Sequence, residues 1–181
     1  MTRSLLLILT LTACAHHAAP FGWYGRQCIP QRAVLCALDQ VDCAKLATAI
    51  DTVNGAVGRR VYQYAGTLAY KDLQSDFGHL FASGVYVFMY SKITAYGLTN
   101  TVGDPQVGKQ ECLIAAYTSI SPEVPDELTS AVLTHELLHG LGATDAQAGG
   151  AYGTIMAPGS DVSNFRTHIT AYDLAAIRSQ Y

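Results

Sequence analysis

Charge is scarce in this chain. Only 14% of its 181 residues are Asp, Glu, Lys or Arg, and the formal net charge is −3. That leaves neither a polybasic surface for nucleic acid nor an acidic run of the kind that keeps a tail disordered. Long apolar runs are missing as well. The run near the start, Ser4 to Leu11, falls far short of the roughly 20 helical residues that cross a bilayer, so a membrane-spanning reading fails on length. Internal repeats and low-complexity stretches are absent, and no stretch reads as a propeptide. What is present is a 50% share of apolar and aromatic residues, enough to bury one core in one domain.

The first residues have the form of an export signal. Arg3 supplies the positive start, Ser4 to Leu11 the apolar segment, and Leu11-Thr12-Ala13-Cys14 the end. That ending resembles the lipobox of bacterial lipoproteins, which implies cleavage after Ala13 and lipidation of Cys14. Several acyl chains on one cysteine anchor firmly, because each buried methylene contributes about 0.8 kcal/mol. An ordinary signal peptide cut near Ala13 or Ala15 is the alternative. The expected organisation is a signal peptide over 1–13, a tether over 14–20 and a catalytic domain over 21–181, exported and held to the bacterial cell envelope.

Setting Cys14 aside leaves Cys28, Cys36, Cys43 and Cys112. An even number in an exported chain predicts two disulfides, with three pairings open. Reading Cys28 as a thiol that blocks a metal would strand an odd partner.

The region before Pro125 predicts an α/β domain. Val41, Leu46, Ile50, Val53 and Val57 recur at helical intervals with Gly58 behind them as a stop, which predicts a backing helix. Val61 to Tyr70, Val85 to Tyr90 and Leu113 to Ile120 are rich in β-branched and aromatic residues and predict strands of a mixed sheet. The tyrosines here are expected to pack on the sheet with their hydroxyls in water.

The chemistry lies after Pro125. Asp126 and Glu127 suit a helix N-terminus, and Leu133, Leu137 and Leu141 recur every four residues as a core-facing stripe. Within that helix stands His135-Glu136-Leu137-Leu138-His139. Residues four apart on a helix are offset by about 40° and roughly 6 Å, so both imidazoles can reach one ion. Glu136 projects about 100° from His135, near enough to take a proton from water at the metal without ligating it. Gly142, three residues past His139, can end the helix in a left-handed turn and bring Asp145 back toward the metal.

The whole pattern, His135-Glu136-x-x-His139-x-x-Gly142-x-x-Asp145, resembles the long zinc motif of the metzincin metallopeptidases in its variant with aspartate as third ligand, as in snapalysin-like enzymes. Gly153-Thr154-Ile155-Met156-Ala157-Pro158 resembles their Met-turn, with Met156 as the apolar floor of the site. Pro158 stands where some subgroups carry a tyrosine, so an oxyanion-stabilising tyrosine there is excluded and Tyr152 is a weak substitute. Thr170 and Asp173 are a candidate capping pair for a last helix carrying Leu174 and Ile177, where the family also ends in a helix. The fold so implied is an α+β zincin: mixed twisted sheet, backing helix, active-site helix, Met-turn and C-terminal helix.

The resemblance implies one catalytic Zn2+ on His135, His139 and Asp145, with Glu136 as general base in peptide-bond hydrolysis. Asp161, Asn164, Phe165 and Arg166 are candidates for walling the pocket after the scissile bond. The implied partners are a peptide or protein substrate and, through the lipid alone, a membrane; the chain is expected as a monomer without nucleic acid. Two alternatives stay open. One is a zincin of another clan with a more distant carboxylate, Asp161 or Asp173, as ligand; the other is a non-catalytic zinc-binding lipoprotein module. An intact Glu136 argues against the second, since a structural site needs no base. His16 and His17 in the tether, His79 in a loop and His168 are not assigned to the metal.

Overall fold

Cys43, Leu46, Ile50 and Val53 are buried at three- and four-residue intervals, and this stripe fastens the first helix to the sheet. The computed structural model describes residues 32–82, 85–104, 112–141, 143, 154–156, 167–171 and 173–174. In chain order they form β1 (Arg32–Ala37), α1 (Gln40–Val57), β2 (Tyr62–Thr67), α2 (Tyr70–Ala82), β3 (Tyr86–Tyr90), β4 (Gly97–Asp104), β5 (Cys112–Ile120) and α3 (Asp126–Gly140). The described residues make a mixed α/β fold with one five-stranded sheet.

α1 has the expected stop at Gly58 and a capping residue at its start. Asp39 caps it by accepting from the Asp42 N–H at 2.9 Å, and Gly58 ends it in the left-handed region at φ 80°. Val41 departs from the expected inner face and is exposed. It lies five residues before Leu46, about 140° round the helix, and Cys43 takes the inward position instead. Asn54 then ties the end of α1 to β2. Its side chain donates to the Tyr62 carbonyl and accepts from the Val61 and Tyr62 N–H groups, at 2.8 to 3.0 Å.

The sheet order is β2-β1-β3-β5-β4, parallel except for β4, which runs antiparallel to β5 at the edge. β2 lies on one side of β1 and β3 on the other. Right-handed crossovers in opposite directions therefore place α1 and α2 on opposite faces. The buried clusters agree. Leu46, Ile50, Leu133 and Leu137 pack with Val34, Tyr62, Tyr86 and Phe88 on one face, whereas Leu73 of α2 packs with Ala37 and Val87 on the other.

Several sequence expectations need adjustment. The strand predicted over Val61 to Tyr70 ends at Thr67, and Tyr70 opens α2, a helix that places His79 on its last turn and not in a loop. β1 and β4 were not anticipated. Of the two expected disulfides, Cys36–Cys43 is present and staples the end of β1 to the first turn of α1. Cys28 and the side chain of Cys112 lie outside the described residues, as does Cys14. Among the described residues no helix is long and apolar enough to cross a membrane.

Candidate metal centre

α3 is buried on nearly every side, with His135, Glu136, Leu137 and Leu138 all below a tenth exposed. A central helix needs its last carbonyls satisfied from elsewhere. The sheet supplies the partners. The Tyr86 hydroxyl donates to the Glu136 carbonyl and the Tyr62 hydroxyl to the Leu137 carbonyl, both at 2.8 Å. The buried Arg32 guanidinium reaches the Gly140 carbonyl at 3.4 Å, placing a cation at the negative end of the helix dipole. The Leu141 and Ala143 N–H groups both return to the Leu138 carbonyl. Gly140 is required by this docking, since a Cβ there would stand 2.5 Å from the Tyr62 hydroxyl and 2.6 Å from Tyr86 Cε1. The expectation that these tyrosine hydroxyls sit in water is therefore corrected for Tyr62 and Tyr86. Burial holds the Tyr86 phenol well above its usual range, so it stays a donor.

The two histidines are fixed by the segments that follow them. His135 Nδ1 lies 2.8 Å from the Ile155 carbonyl oxygen, and His139 Nδ1 lies 2.8 Å from the Ala143 carbonyl oxygen. A carbonyl only accepts, so each Nδ1 carries a proton and Nε2 is the nitrogen each ring can offer to a metal. Those two Nε2 atoms face each other at 2.9 Å with the rings edge to face. Two lone pairs at that distance repel unless an electropositive centre, a metal ion or one shared proton, lies between them. A Glu136 carboxylate oxygen falls within 4.8 Å of the imidazole donors and completes a group that could hold a metal ion. Two imidazoles beside a carboxylate are a donor set suited to a divalent transition metal.

Glu136 is held from β4. Thr99 Oγ1 donates to Glu136 Oε2 at 2.6 Å and stands 2.6 Å from Thr118 Oγ1, which in turn lies 2.8 Å from the Tyr86 hydroxyl. Gly97, two residues before Thr99 on the same face of the strand, passes so close that an added Cβ would overlap Glu136 Oε1 and stand 2.7 Å from Cδ. None of these contacts was legible beforehand, because β4 carries no strong strand signal.

Met156 is fully buried beside Ile155, in the short turn whose carbonyl orients His135. Asp173 is buried and engaged with Thr170 in the anticipated reciprocal cap. Its carboxylate accepts from the Thr170 N–H and hydroxyl at 2.7 Å, and the Asp173 N–H points back to the Thr170 hydroxyl at 3.4 Å. Asp173 is not among the described residues whose ligand atoms converge, and neither are His79 and His168. Gly142, Asp145, Tyr152, Asp161, Asn164, Phe165 and Arg166 lie outside the described residues. Compared with known protein families and with curated proteins, the chain matches no family model and no curated protein.

Proposed function

We propose that this protein is a zinc-dependent endopeptidase, exported and lipid-anchored through Cys14. The observation that carries the reading is the pair of Nε2 lone pairs 2.9 Å apart beside the Glu136 carboxylate, because a structural site would need the histidines and not the acid. Zinc fits the two imidazoles, with Asp145 as the proposed third ligand and the Glu136 carboxylate beside them as the base. When bound, zinc supplies a Lewis acid that lowers the pKa of water and polarises a carbonyl. The chain's own residues do the rest. His135 and His139 hold their tautomers through the Ile155 and Ala143 carbonyls. Glu136 takes a proton from the attacking water and passes it to the leaving amine. The edge strand β4 runs beside α3 and suits an extended peptide backbone, which would add by strand pairing and bring its carbonyl to the site. The Cys36–Cys43 disulfide is in keeping with an oxidising compartment.

The test separates the proton carrier from the metal's holders. Glu136→Gln keeps size and removes basicity, so zinc content should stay near one per chain while cleavage of unfolded protein or a peptide library falls at least about 10²-fold. His135→Ala should lose both. Equal cleavage by wild type and Glu136→Gln, or none by zinc-loaded wild type, would overturn the reading.

A further inference from the structure

The two carboxylate oxygens of Glu136 are in different surroundings. Oε2 accepts from the Thr99 hydroxyl at 2.6 Å, whereas among the described residues no hydrogen bond reaches Oε1, which lies against the bare Cα of Gly97. The direction of the protons can be worked out. A carbonyl cannot donate, so the Tyr86 proton goes to the Glu136 carbonyl. Thr99 has one proton and two acceptors, Glu136 Oε2 at 2.6 Å and the Glu136 carbonyl at 3.3 Å, and the shorter contact takes it, which leaves Thr118 to donate to Thr99 or to Tyr86. Where Thr118 donates to Thr99, the donors run from Thr118 through Thr99 to Oε2, and each polarises the next. Thr118 is fully buried and Tyr86 likewise, so the far end of this network cannot shift without disturbing the sheet.

Resting on the peptidase reading above, we infer that Thr99 is a positioning residue that anchors Glu136 Oε2 to β4, and that Gly97 is kept bare so that Oε1 alone is presented to water and substrate. Thr99 touches no reacting atom itself. Its work is to remove one of the two oxygens, and the rotamer freedom that goes with it, from the reaction. The same strand proposed to receive the substrate thereby sets the orientation of the base, so strand and base keep one register. Gly97 has no left-handed φ, so alanine fits its backbone, and the nearest atoms its methyl group meets all belong to Glu136.

The experiment uses the zinc-loaded chain with Thr99→Val, which keeps the shape and removes the hydroxyl, Thr99→Ser, which restores the hydroxyl, Gly97→Ala and Glu136→Gln. Thr99→Val and Gly97→Ala should each lower kcat roughly 10- to 100-fold at near-constant KM, with zinc still about one per chain, as expected of a supporting contact. Thr99→Ser should recover to within about threefold, and Thr99→Val should add nothing to Glu136→Gln. A second readout needs no turnover. In the metal-free protein, Thr99→Val should lower Tm more in the wild-type background than in Glu136→Ala, because the bond to Oε2 is lost in one case and already absent in the other. Wild-type kcat in Thr99→Val beside an inactive Glu136→Gln, or Tm shifts that simply add, overturns the assignment. Undiminished turnover in Glu136→Gln sinks the peptidase reading instead, and the Tm comparison then decides alone whether Thr99 anchors Glu136.

Discussion

His135 and Ile155 are twenty residues apart in the chain, yet His135 Nδ1 lies 2.8 Å from the Ile155 carbonyl oxygen. That bond fixes the tautomer that turns Nε2 toward His139, so the turn at 154–156 supports the candidate metal centre by orienting one of its imidazoles. Met156 and Ile155 both bury their side chains in the core that Leu133 and Leu137 share, which holds the turn against α3.

Met156→Ala should therefore do two things. Emptying a buried methionine site costs about 2 to 5 kcal/mol. Loosening the Ile155 carbonyl should also weaken zinc binding about 10- to 100-fold, the usual cost of losing an outer-shell partner. Met156→Leu, close in volume, should keep most of both. Thermal denaturation and competition with a chromophoric chelator below Tm measure the two effects. A destabilised Met156→Ala with unchanged zinc affinity would separate the turn from the metal.

Gly140 and Tyr62 form a second coupled pair. Alanine at a helical glycine ordinarily gains up to about 1 kcal/mol, but here the new methyl group meets the Tyr62 hydroxyl and the Tyr86 ring. Gly140→Ala should destabilise by about 1 to 3 kcal/mol through overpacking. Tyr62→Phe should cost about 1 to 3 kcal/mol by stranding the buried Leu137 carbonyl. Because the hydroxyl is part of the clash, the double variant should lose clearly less than the sum in urea titrations. Strict additivity would show that the two do not meet.

The sequence disclosed the elements whose signal is local. α1 and α3 carry apolar residues at helical spacing, and His135, Glu136 and His139 needed only helix geometry to converge. The capping pair Thr170 and Asp173 and the stop at Gly58 were legible for the same reason. What stayed hidden depends on long-range packing. Arg32 opens a strand as a buried cation, and its contact with the Gly140 carbonyl at the end of α3, 108 residues away, is one that local sequence does not disclose. Residues 97–104 hold two glycines, an asparagine and an aspartate, which read as a loop until β5 pairs with them. Thr99 and Gly97 were invisible with the strand that carries them. Tyr62 and Tyr86 showed their aromatic side to composition, while the destination of their hydroxyls is set by helix carbonyls 75 and 50 residues away.

Asp39 gives a pH-dependent contribution. Its carboxyl is held below the usual range first by the Asp42 N–H, with help from the Tyr90 hydroxyl, the Val41 N–H and the charge of Lys45. A carboxylate whose folded pKa is depressed stabilises above its unfolded value, near 4, and loses that contribution as pH falls through the folded one. Asp39→Ala should thus cost about 1 kcal/mol near pH 7, toward the lower end because the residue is exposed. The gap between variant and wild type should close as pH is lowered from about 5 to 3. Urea midpoints across that range measure it, and a gap that is constant or widens on acidification would contradict the capping role.

The third ligand is the last expectation to test. Two imidazoles leave a catalytic zinc site one protein donor short of the usual three. The chain supplies a reason to look just past the helix: the Ala143 carbonyl is already 2.8 Å from His139 Nδ1, so the segment leaving α3 starts beside the candidate metal centre. Asp145 is two residues further, and covalent reach keeps its Cα within about 7 Å of that of Ala143. Asp173, the rival carboxylate, caps its own segment through Oδ2 and is not among the described residues whose ligand atoms converge on the histidines. Asp145→Ala should lower zinc occupancy sharply at limiting metal, and Asp145→His, which puts a neutral nitrogen donor in the same place, should restore occupancy. Asp161→Ala should leave zinc near one per chain. Asp173→Ala should lose its helix cap, about 0.5 to 2 kcal/mol, and keep its zinc. Metal analysis of the four purified variants, each checked for folding by circular dichroism, decides among them. Full zinc in Asp145→Ala with loss in Asp161→Ala or Asp173→Ala would assign the third ligand to the more distant carboxylate and move the protein out of the class its motif resembles.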